Sequence, residues 1–164
     1  MKVKRRFYFE KIFSITIIVL LVLVLLWIKP MKKLIPLVPP NINITYNQNK
    51  IEAAKGDYTW TNKPGNSNLA DSPINLAKKL KASSVERGGQ IKFTFNTLLR
   101  QPSKTSVDLI IYNKDNPSDI KLKEQVINVD YFNAPKKRGE YIFLIFSLWD
   151  EGHSINYVFK INVI

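Results

Sequence analysis

The chain has 164 residues, with 25 Lys and Arg against 13 Asp and Glu, a formal net charge of +12 and no cysteine. Lack of cysteine excludes disulfides, thiolate metal sites, a cysteine nucleophile and a lipid-modified N-terminal Cys, so a folded domain must rest on its hydrophobic core. Only five basic residues and one acidic residue fall in the first 28 positions, so the positive balance belongs mainly to the rest of the chain. Such a domain is drawn to anionic polymers and lipid surfaces by salt-screened attraction, although a Lys-rich face is also a common means of solubility.

Residues 1–11 form a basic tail carrying Lys2, Lys4, Arg5, Arg6 and Lys11 against Glu10. The next 17 residues, 12–28, are uncharged and strongly apolar. As a helix they rise ~25 Å, close to the ~30 Å hydrocarbon core, and Trp27 falls where an interfacial aromatic is expected. This predicts one transmembrane helix. The five cations before it exceed Lys29, Lys32 and Lys33 after it, which places the N-terminus in the cytoplasm and the remainder outside. A cleaved signal peptide would need a small-residue cleavage site, and the exit from the span offers none. A pilin-like helix is disfavoured because Pro30 and Pro36 would interrupt it.

Pro30, Pro36, Pro39 and Pro40 make 29–40 a stiff, extended stalk, with an extracytoplasmic domain expected over 41–164. Strands are predicted around 42–46, 58–60, 90–95, 107–112 and 121–129. The strongest hairpin joins 140–149 to 155–163 through a polar loop over 150–154. One short helix is expected over 73–81, with Ser72 as N-cap, Pro73 at the first position and Leu76 and Leu80 sharing a face. The pattern is mainly β, without βαβ alternation, and points to an immunoglobulin-like antiparallel sandwich. Tyr141 and Phe143 add to this. In such domains a Tyr near the start of the penultimate strand lies two residues before a core position.

Three stretches carry a resemblance: Gly56-Asp57-Tyr58-Thr59-Trp60 with Ala70-Asp71-Ser72-Pro73, Gly139 to Phe143 through Trp149, and Tyr157 to Val163. In this order they resemble small lipid- or helix-anchored extracytoplasmic proteins of low-GC Gram-positive bacteria. That resemblance implies an envelope location and a sandwich fold, but no reaction. Some such relatives carry a Cys between the Tyr and Trp, where this chain has Thr59.

Candidate chemistry is sparse. The one histidine, His153, shares a loop with Asp150 and Glu151, residues that suit either metal or acid–base chemistry or simply a polar hairpin turn. A single His cannot build a multi-histidine zinc site, and no nucleophile elbow or phosphate loop is present. No catalytic, metal or cofactor set is therefore assigned. Tyr58, Trp60 and Trp149 read as core rather than as a stacking platform. Asn43-Ile44-Thr45 matches a glycosylation sequon, irrelevant in a bacterial host.

Two basic clusters are candidate contacts for an anionic ligand: Lys78, Lys79 and Lys81 with Arg87, and Lys136, Lys137 and Arg138. The expected role is a non-catalytic, membrane-anchored binding module. Its partners would be anionic cell-wall polymer, lipid headgroups or a membrane protein; no nucleic-acid module accompanies the clusters. The alternatives are an envelope enzyme or metal-binding protein using Asp150, Glu151 and His153, and a structural subunit of a membrane complex.

Overall fold

The computed structural model describes residues 13, 15–20, 22–23, 26, 31, 33–61, 66–113 and 119–164. They divide into two compact units: one holds those up to Ile35 together with Leu98–Arg100, the other Pro36–Thr97 and Gln101–Ile164. In the first unit, Phe13, 15–20, Val22, Leu23, Leu26 and Met31 are helical, and their large apolar side chains are exposed. Among the described residues no helix is long and apolar enough to cross a membrane. The span expected over 12–28 lies in large part outside the described residues, as does all of the basic tail 1–11.

The second unit is mainly β. Eleven strands are found among the described residues: β1 Asn41–Tyr46, β2 Asn49–Ile51, β3 Ala53–Trp60, β4 Asn66–Asn68, β5 Ser83–Val85, β6 Gln90–Asn96, β7 Lys104–Tyr112, β8 Ile120–Glu124, β9 Tyr131–Asn133, β10 Gly139–Asp150 and β11 His153–Val163. One sheet has the order β2-β1-β6-β9. The other runs β4-β3-β11-β10-β7-β8, and β5 lies parallel to β11. All other pairings are antiparallel.

The long hairpin shows why these residues fold this way. Ile142 to Ile145 are all buried, because β10 is covered on both faces. Phe143, Ile145 and Trp149 point toward the other sheet: Phe132 of β9 lies 5.1 Å from Phe143, and Phe95 of β6 lies 5.5 Å from Trp149, ring centre to ring centre. Phe143 also stacks on Phe159 of β11 at 5.3 Å. Ile142 and Leu144 point the opposite way, into a second cluster with Ile74, Ala77, Ile110 and Val158. The alternation of a strand thus serves two cores, one between the sheets and one beneath a helix.

That helix spans Pro73–Lys78, and the Ser72 side chain accepts from the Asn75 amide as the N-cap. It stops three residues short of the expected 81, and its buried face is Ile74 and Ala77, not Leu76 and Leu80. Leu76 packs at the margin of the cluster instead. The i, i+3 pair faces the sheet because the chain enters directly from the capped Ser72-Pro73 corner.

Other expectations also shift. The strand expected over 121–129 ends at Glu124, and Val126 and Val129 are exposed, with Val129 in the left-handed region at φ 55°. A tight turn forms there, since the Asn128 and Tyr131 backbones bond to each other in both directions. The loop expected over 150–154 shrinks to Glu151-Gly152, because Asp150 pairs with His153 across the hairpin. The folded unit begins at Pro36 rather than near 41. Trp60 donates its indole N–H to the Pro36 carbonyl at 2.9 Å and Tyr157 its hydroxyl to that of Pro40 at 2.8 Å, both buried.

Two positions in the sheets give direct stability predictions. The Ser147 hydroxyl is buried between the sheets with no hydrogen-bond partner among the described residues. An unpaired buried hydroxyl costs about 1–3 kcal/mol, so Ser147→Ala is expected to raise stability by about 1 kcal/mol in urea unfolding. Asp108 of β7 sits directly opposite Glu124 of β8. Burial, then the Glu124 charge, push the Asp108 carboxyl above its ordinary range, and the Ser106 hydroxyl pulls it partly back. The folded state therefore binds this proton more tightly than the unfolded chain, and stability falls as pH rises through that window. Asp108→Asn is expected to gain about 0.5 kcal/mol at neutral pH, the scale of a like-charge cross-strand pair, with the gain vanishing in acid.

Candidate functional site

The basic residues are regrouped by the fold. Lys78 closes the last turn of the helix, where a cation complements the exposed carbonyls. Lys79 is engaged by the Asp71 carboxylate, and the Lys81 amide is held by Glu52. Arg87 does not stay with them, because β5 intervenes and a strand carries the chain on by about 3.3 Å per residue. Arg87 instead lies in the turn Glu86–Gly89, closed by the Gly89 amide on the Glu86 carbonyl at 2.9 Å.

This turn meets the loop between β9 and β10. The Ala134 amide donates to the Gly89 carbonyl at 2.8 Å and the Gly88 amide to the Pro135 carbonyl at 3.4 Å. Lys136, Lys137 and Arg138 follow at once, all exposed, like Arg87. Two groups separated by nearly fifty residues are thereby joined at one end of the sandwich. The Tyr141 hydroxyl donates to the Lys137 carbonyl at 2.8 Å and fixes the curl of the basic loop. Exposed Glu86 and Glu140 flank the cations and reduce the local field without cancelling it. Gly88 takes φ 69°, which favours glycine, while Gly89 is needed for space: a Cβ there would lie 2.6 Å from the Tyr46 ring.

The His153 loop is built for the hairpin. His153 is 9% exposed, its Nδ1 lies 2.7 Å from Asp150 Oδ1, and its ring meets Trp60 edge-on at 5.0 Å. Asp150 Oδ1 also accepts from the Gly152 amide at 3.0 Å, an Asx-type turn. Among the described residues no group of three His, Asp or Glu side chains could hold a metal ion. Trp60 is 1% exposed and packs on Trp149 at 5.1 Å, so both tryptophans are core, as expected.

A cleft of about 760 Å³ was not foreseen. It opens where β1 outruns β2: only Ile44 to Tyr46 pair with β2, leaving Asn41–Asn43 with β6 on one side alone. Asn41, Asn43, Lys50, Glu52, Thr94 and Asn96 supply polar walls above Phe95 and Tyr157. Lys55 lines it and donates to the Pro39 carbonyl at 2.7 Å, and burial lowers its ammonium below the ordinary range. Burial likewise pushes the Tyr157 phenol up. The alternation of Asn41 and Asn43 was visible in the sequence, but the departure of β3 to the other sheet was not. No protein-family model matches the chain, and no curated protein matches it.

Proposed function

We propose that the chain is a single-pass membrane protein, N-terminus inside, whose outer sandwich is a non-catalytic module that binds phosphate-bearing anions of the cell envelope. The observation that carries this reading is the backbone pairing that brings Arg87 to Lys136, Lys137 and Arg138. Four cations on two hydrogen-bonded loops form a compact patch for cell-wall polymer or lipid headgroups, and their attraction is screened by salt. The uncharged run 12–28 between basic flanks supports the anchor and the orientation.

The module reads as immunoglobulin-like. β6 and β9 share one sheet while β7, β10 and β11 share the other, the arrangement of B and E against C, F and G in that fold. The parallel β5 lies beside the last strand, and β8 extends the sheet beyond β7. The Tyr141 hydrogen bond four residues back onto the chain has the form of the tyrosine corner of such domains.

Charge reversal tests the assignment. With full-length protein in zwitterionic nanodiscs, replacing Arg87, Lys136, Lys137 and Arg138 by Glu is expected to weaken binding of a glycerol-phosphate polymer at least ~30-fold, at about 0.5 kcal/mol or more per contact. The same exchange at Lys78, Lys79 and Lys81 should cost several-fold less. Equal losses from both sets would reduce the patch to general surface charge.

A further inference from the structure

The exposed apolar residues of the first unit point to a second membrane contact, one that rests on the anchor reading above. Leu98 is 85% exposed and Leu34 59% exposed. The Arg100 amide donates to the Leu34 carbonyl at 2.9 Å, so the loop between β6 and β7 is tied to the segment that follows the apolar run. The Leu34 amide in turn donates to the Met31 carbonyl at 3.0 Å. Leu34 is six residues beyond Ile28, the last residue of the run, and six residues reach at most about 20 Å in any conformation. A loop tethered within that distance of the end of a span has the headgroup layer within its reach. The charge pattern fits the same surface: Lys33 is exposed within the unit, and Lys29 and Lys32 flank it in sequence. Cations bordering exposed leucines suit an interface whose phosphates lie just outside its acyl chains.

We infer that Leu98 inserts into the acyl–headgroup boundary of the bilayer, making the Leu98–Arg100 loop a second attachment point besides the span. The occupant of this apolar surface is lipid, because the tether holds the loop where lipid is the nearest apolar phase.

The chain has no cysteine, so single reporters can be placed cleanly. Full-length Leu98→Cys, Leu20→Cys and Leu69→Cys would each be labelled with an environment-sensitive fluorophore in vesicles of mixed zwitterionic and anionic phospholipid. Leu69, 93% exposed in the other unit, serves as the water reference. The expected result is a blue shift and quenching by lipid-borne quenchers at 98 and 20, and neither at 69. In a second arm, the probe is placed at Leu99→Cys, with and without Leu98→Ser. The serine should lower the ratio of quenched to unquenched probe about tenfold, the scale of losing one buried leucine. A water-like signal at 98 with 20 quenched would overturn the inference and leave the anchor intact. A signal at 98 that is shielded from water but insensitive to lipid quenchers would overturn it in favour of a protein cover. A water-like signal at 20 would overturn the anchor and the inference together.

Discussion

Trp60→Ala is expected to cost about 4 kcal/mol, the upper range for deleting a buried aromatic, and to lower the melting temperature by roughly 15 °C. Trp60 joins three parts of the fold. Its ring packs on Trp149 of β10 and on His153 at the start of β11, and its indole N–H holds the Pro36 carbonyl. Truncation leaves a cavity between the sheets and takes the indole donor away from the Pro36 carbonyl. Trp60→Phe separates the two effects. It keeps most of the apolar volume but removes one hydrogen bond, and should cost about 1 kcal/mol. Chemical denaturation followed by circular dichroism measures both. A loss below about 1 kcal/mol for the alanine variant would show that Trp60 is not the keystone its burial implies.

Gly89→Ala is expected to cost about 2–3 kcal/mol, toward the upper end for overpacking, and to weaken anion binding as well. The new Cβ would sit 2.6 Å from Tyr46 Cε2 and 3.0 Å from the Glu86 carbonyl oxygen. The ring can turn only by disturbing its own contacts, and the carbonyl is fixed by the turn it closes. Relief therefore displaces the Arg87 turn from the loop carrying Lys136, Lys137 and Arg138. Gly88→Asn is the matched control. Gly88 has a positive φ, but a Cβ added there would meet nothing within 4 Å, and Asn tolerates that conformation best among non-glycine residues. Its cost should stay within about 1 kcal/mol, with binding unchanged. Equal effects at both positions would remove the argument from close packing.

The parts of this fold that could be read from sequence were those with local causes. Alternating residues in β6 and the β10–β11 hairpin announced themselves, and Ser72-Pro73 marked the start of the helix. Short strands were missed because their existence depends on distant partners: β5 is three residues that pair with the end of β11, and β9 is three residues that pair with β6. The strand expected over 121–129 was overextended because Val126 and Ile127 fit β-propensity, while the Val129-Asp130 turn is imposed by Tyr131. The extent of the folded unit was misjudged for a similar reason. Proline marks stiffness in a sequence, but not whether its carbonyl will meet a buried indole. For the candidate site, each basic residue was visible. Which of them come together was set by β5 and by two backbone hydrogen bonds, neither of which leaves a local trace.

The most direct test of the account is binding of a glycerol-phosphate polymer to the full-length protein in zwitterionic nanodiscs, measured across a range of salt concentrations. The account predicts binding at low ionic strength that falls steeply as salt is raised, because the contacts are exposed cations on phosphates. No binding at low salt, or binding indifferent to salt, would contradict it.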